Sequence, residues 1–183
     1  MRFWVYICLA VAAIALTSCT TPIVSQSAQP NTSSAIQSEL KSVTLDKTKI
    51  KVGQTIYVPI YSYIYHYDSQ KHILNLAATL SIRNTDLKHS IIITAVDYYD
   101  TSGKLIRHYL EQPAQLAALA SADFFIAKDD VSGGLGANFI VEWAAEQQVF
   151  EPIVEAVMIS TESGRGISLI SSGKVVEHRG MKS

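Results

Sequence analysis

Asp97 and His108 are the residues of this chain whose types and spacing come nearest to catalytic chemistry. A tight turn at Ser102-Gly103 would set Thr101 opposite Lys104 and, four steps down the ladder, Asp97 opposite His108. A carboxylate that steadies an imidazole is the orienting half of a hydrolytic triad. A hydrolase built on it would need a distant serine as nucleophile. Without one, the pair is a cross-strand hydrogen bond that stabilises a hairpin. A register slip of one residue would part the two side chains altogether.

Three other groupings invite a chemical reading. His66-Tyr67-Asp68 with His72 offers metal-ligand atoms, but the spacing matches no zinc pattern and a solvated turn accounts for it. Gly133-Gly134-Leu135-Gly136 suggests a phosphate-binding loop, which requires a helix after the glycines. Residues 137–143, Ala-Asn-Phe-Ile-Val-Glu-Trp, are strand material instead, so a glycine turn is the better account. Asp129-Asp130 would need several further oxygens to hold calcium. No catalytic set, metal or cofactor is expected from these residues.

Five of the nine tyrosines, Tyr57, Tyr61, Tyr63, Tyr65 and Tyr67, fall at odd positions and would share one face of a strand. Such a row makes an aromatic platform for sugars or for another protein, with Tyr61, Tyr63 and Tyr65 as the candidate binding surface. Its opposite face, Ile56, Val58, Ile60 and Ile64, would be the core face. Tyrosines packed on an edge strand with wet hydroxyls are the plainer explanation.

The elements that must position these groups are strands. Leu74, Leu76, Ala78, Leu80 and Ile82 alternate with Asn75, Thr79, Ser81 and Arg83, the period-two signature of a half-buried strand. Asn84-Thr85-Asp86 then supplies turn chemistry, residues 91–99 and 105–110 make a hairpin, and 115–120 is an ambiguous crossover. Further strands are expected at 124–127, 139–143, 154–160 and, last, 167–171. Phe139, Val141 and Trp143 should face the core and Glu142 solvent. Pro59, which cannot donate to a ladder, places the 56–65 strand at an edge or at a bulge. About seven or eight short strands with frequent turns predict an all-β fold, an antiparallel immunoglobulin-like sandwich.

The N-terminus carries an address. Arg2, the apolar run 3–16 and Ser18 before Cys19 have the plan of a secretory signal. The run, at roughly 14 residues, is short of the ~20 needed to span a bilayer. Leu16-Thr17-Ser18-Cys19 resembles the bacterial lipobox, which implies removal of 1–18 as a lipoprotein signal peptide and acylation of Cys19. Two or more acyl chains give stable membrane anchoring where one does not. Residues 19–42 are then the lipidated cysteine and a Thr/Ser/Gln/Pro-rich tether too poor in apolar surface to fold. Residues 43–183 are one domain. Thr20 stands where inner-membrane retention uses Asp, which by analogy points to the outer membrane. The expected location is the bacterial cell envelope, facing the periplasm.

Composition narrows the partners. With 183 residues and 48% hydrophobic content there is material for one core. A formal net charge of −1 and the lack of any basic tract argue against nucleic acid. The expected partners are the membrane, through the lipid, and an envelope protein or glycan. The two cysteines are Cys8, inside the apolar run, and Cys19, so the mature domain has no thiol for a disulfide or a nucleophile.

Asp97-Tyr98-Tyr99-Asp100-Thr101-Ser102-Gly103-Lys104, the segment 133–143 and Glu155-Ala156-Val157-Met158-Ile159 resemble a bacterial family. It is the one known as domain of unknown function 3124, often found behind lipoprotein signals. The resemblance runs from about Gly53 to Ser172. It implies an envelope-located domain and assigns no activity and no site residue. From the sequence, the chain is a lipid-anchored, non-catalytic binding or interaction module, with an Asp-His hydrolase or a purely structural envelope lipoprotein as alternatives.

Overall fold

The structure, a computed structural model, describes residues 40–162 and 164–180. Cys19, the signal and most of the expected tether lie outside them. In chain order the strands are β1 (Lys41–Ser42), β2 (Val52–Pro59), β3 (Tyr63–His66), β4 (Ser69–Asn75), β5 (Ala77–Arg83) and β6 (Ile91–Tyr99). They continue with β7 (Leu105–His108), β8 (Ala114–Leu116), β9 (Ser121–Ile126), β10 (Asn138–Ala145), β11 (Ile153–Glu162), β12 (Arg165–Ser172) and β13 (Lys174–Arg179).

These strands build the expected antiparallel sandwich. A seven-stranded sheet runs β1-β8-β6-β10-β2-β13, with β7 also on β6, and a four-stranded sheet runs β12-β11-β5-β9. β3 and β4 form a separate two-stranded hairpin. Alternation decides which side of each strand is dry. Phe139, Val141 and Trp143 of β10 and Val96 and Tyr98 of β6 are fully buried, facing Leu80, Ile82, Phe124 and Ala156 of the other sheet. Gln54 is a polar side chain buried in this core. It accepts from the Trp143 indole at 3.2 Å and donates to Glu151 at 2.5 Å, so burying it costs little.

Antiparallel wiring gives the sandwich two ends. At one lie the connections 84–90, 117–120 and 146–152. At the other lie the β3–β4 hairpin and the connections 100–104 and 127–137. The chain passes from the four-stranded to the seven-stranded sheet between β12 and β13, at Gly173, whose N–H donates to Val154 O at 2.8 Å.

Several expectations are corrected. Residues 56–65 are not one strand: β2 stops at Pro59, and β3 begins at Tyr63 in another sheet. Nor is β2 an edge, since it lies between β10 and β13. Pro59 is tolerated because β13 pairs only as far as Tyr57, so no ladder bond is missed. The alternation of 74–82 persists, but the strand divides at Leu76, whose N–H leaves the ladder to donate to Ser62 O at 2.9 Å. The 167–171 strand is not the last, because β13 comes after it. Its Val175-Val176 pair breaks strict alternation, as an edge strand with a bulge allows. Glu142 is half-buried rather than solvated, since Arg179 of β13 donates to both its carboxylate oxygens at 2.8 Å. Finally, the sheet takes in Lys41 and Ser42, which pair with Gln115 and Ala114.

Candidate binding surface at the hairpin end

Two segments that are far apart in sequence are joined at this end. The β6–β7 turn begins with Asp100, whose carboxylate accepts from the Ser102 hydroxyl at 2.6 Å and from the Ser102 and Lys104 N–H groups at 2.8 and 2.9 Å. These bonds, the Ser102 hydroxyl first, hold its carboxyl below the usual range. Thr101 then faces the glycine loop. Its N–H and hydroxyl both donate to Gly133 O at 2.9 Å, and its Oγ1 accepts from Gly136 N–H at 2.9 Å. The loop meets this clamp in a left-handed turn at Gly134, φ 76°, where a Cβ would lie 2.6 Å from Thr101 Oγ1.

Ser62 locks the hairpin to the same loop. It is buried, its N–H donates to Gly134 O at 3.0 Å, and its hydroxyl lies 3.1 Å from that of Tyr98. Its carbonyl accepts from Leu76, so both arms of the hairpin are fixed at their base. Ile64 packs against the core, while Tyr63, Tyr65 and Ile73 take the other face, with Tyr65 and Ile73 exposed.

The tyrosines are not one row, which corrects the shared-face reading. Tyr63 and Tyr65 share a face, with ring centroids 6.3 Å apart. Tyr61 lies between strands, half exposed, its N–H donating to Met158 Sδ at 3.3 Å. Tyr57 is on β2, beside Ile140 and Lys174 on the outer face of the large sheet. Tyr67 is at the hairpin tip with φ 56° and 81% exposed. It packs against His66 at 4.4 Å and His72 at 5.9 Å between ring centroids. Among the described residues no three His, Cys, Asp or Glu side chains gather as a metal site.

Asp97 and His108 do meet. They are register partners, and Oδ1 lies 2.8 Å from Nδ1. The register comes about differently from the expected two-residue tip. Asp100 pairs with Lys104 around a longer turn, and a bulge between Tyr98 and Tyr99 restores the alignment. Both face outward, and the imidazole is well exposed. Among the described residues the ring's hydrogen bond is to Asp97, and no serine completes a triad.

Sequence reasoning missed Ser62 and Thr101 because isolated hydroxyls carry no periodic signal. It also missed Asn84 and Asp86 at the opposite end. The Asn84 amide there donates to His89 O at 2.8 Å and Ala117 O at 2.9 Å, and Asp86 accepts from three backbone N–H groups. The sequence did show Asn84-Thr85-Asp86 as turn chemistry, which is half of that role.

No curated protein matches the chain. Among solved structures, the crystal structure of Thermotoga maritima 1070 is similar at 11% identity with a TM-score of 0.41, over 66% of this chain and 92% of that one. A family model described as protein of unknown function (DUF3124) matches residues 53–176. That span runs from β2 into β13 and includes both segments that Thr101 ties together. The chain belongs to the DUF3124 family.

Proposed function

We propose that this chain is a lipid-anchored protein of the bacterial cell envelope that acts, without catalysis, as a binding module for an envelope protein or glycan. The observation that carries the binding role is the hairpin: Tyr63, Tyr65 and Ile73 lie outward on an arm whose base is fixed by buried hydrogen bonds at Ser62. Aromatic rings on a preorganised arm stack on sugars or fill a partner's pocket with little ordering cost. The anchor rests on the lipobox at Cys19. Replacing Tyr63 and Tyr65 together with Ala should abolish retention on peptidoglycan or on a captured envelope partner while thermal unfolding stays cooperative. Undiminished retention of that folded variant would sink the hairpin as the surface. Intact-mass measurement of the native protein tests the anchor, since an unmodified Cys19 rules it out.

A further inference from the structure

The end of the sandwich opposite the hairpin presents three large apolar side chains to solvent, one from each of three loops. Leu87 is 68% exposed, Leu119 64% and Phe150 69%. They come from 84–90, 117–120 and 146–152, segments that share no strand. Asp86 holds them together. Its carbonyl accepts from Leu119 N–H at 3.2 Å, and its carboxylate accepts from Lys88 and His89 N–H at 2.9 and 2.8 Å and from Phe150 N–H at 3.2 Å. Leu119 is held at φ 59°, a region that a leucine seldom adopts. An exposed leucine gains nothing locally from that conformation, so the surrounding bonds impose it.

The chain reaches the domain at this same end. β1 runs antiparallel to β8 with Lys41 opposite Gln115, which puts Leu40 beside the end of β8. Leu40, Lys41, Lys88 and Ala117 line one cavity of about 630 Å³ there. Twenty residues separate Cys19 from Leu40. An acylated Cys19 would therefore join the bilayer to the domain through this end. Leucine and phenylalanine are the side chains that enter the headgroup–acyl boundary, and lysines beside them meet lipid phosphates.

From the placement of Leu87, Leu119, Phe150, Lys41 and Lys88 we infer that this loop end docks on the lipid bilayer and points the hairpin away from it. The inference rests on the anchor proposed above for its geometry, while the apolar loops supply contact of their own. Docking turns a tethered domain into an oriented one, with its binding arm facing the periplasmic space.

The test uses the mature protein reconstituted into vesicles of phosphatidylcholine and phosphatidylglycerol with brominated acyl chains. Phe150→Trp and Tyr65→Trp report the two ends against the buried Trp143 background. The expected result is a loss of tryptophan emission for Phe150→Trp and none for Tyr65→Trp. Unquenched emission at position 150, or equal quenching at both positions, overturns the docking. Both substituted positions are exposed, so folding is preserved, and near-ultraviolet circular dichroism verifies it. Acylated Cys19 with no quenching at 150 overturns the docking and leaves the anchor standing. Unmodified Cys19 with quenching at 150 overturns the anchor and leaves the docking standing.

Discussion

Thr101 and Gly136, 35 positions apart, are joined by a 2.9 Å bond from the Gly136 N–H to the Thr101 hydroxyl, which itself donates to Gly133 O at 2.9 Å. One side chain thus satisfies both faces of a loop that has no ladder of its own, and on that loop the hairpin rests through Ser62. Replacing Thr101 with Val keeps the shape and removes both bonds. The expected cost is about 1 kcal/mol, read as a lower urea midpoint, with Thr101→Ser close to the wild type. Equal loss in both variants would mean that the methyl group, not the hydroxyl, matters.

Gly173 is where the chain changes sheets, and a Cβ there would lie 2.6 Å from Ile56 Cγ2 and 2.8 Å from Val154 O. The second neighbour is backbone, held in β11 opposite Ile82, and cannot rotate aside. Gly173→Ala should destabilise by about 1–3 kcal/mol, the range for overpacking, and shift the thermal midpoint down. Retained stability would show that the two sheets can separate locally without loss.

The pH dependence centres on Asp86. The Lys88 N–H first, then those of His89 and Phe150 and the His89 ring 3.1 Å away, hold its carboxyl below the usual range against the opposing effect of burial. A carboxylate whose folded value is depressed stabilises the fold above its unfolded value. That stabilisation is lost as pH falls through the folded value, so the window lies below about pH 4. Asp86→Asn should be less stable at neutral pH, since it offers one acceptor oxygen for three N–H groups, and its stability should fall less steeply in acid. Asp46 and Asp100, held low chiefly by the Thr48 and Ser102 hydroxyls, keep some slope in the variant. Urea titrations between pH 2.5 and pH 7 measure this, and parallel curves would exclude Asp86 as the titrating group.

His108→Ala tests whether the Asp97 pair is more than a surface contact. The imidazole is exposed and the pair is screened, so the change in stability should stay within about 1 kcal/mol. The same variant should keep full retention on any partner that the hairpin captures. A lost retention with stability intact would move the functional surface to the outer face of the large sheet.

The all-β class and most strand positions were legible because alternation is a local record of burial: Leu80, Ile82, Val141 and Trp143 announce their core faces within a few residues. The turn that brings Asp97 to His108 was also local, and two offsetting one-residue differences still delivered the pair. Position among strands is a long-range matter. That β2 is interior, that Pro59 escapes penalty and that Glu142 is paired with Arg179 all depend on β13, which is 115 or more residues from β2 in the chain and joins it by pairing that no local pattern encodes. The tyrosine row failed for the same reason, because parity along a chain defines a face only while the strand stays in one sheet. Composition and spacing by themselves determined a β domain without thiols after an apolar N-terminal run. Tertiary structure alone decided which side chains stand together, Ser62 with the glycine loop and Leu87 with Leu119 and Phe150, because hydrogen bonds between distant loops assemble those groups and leave no period in the sequence.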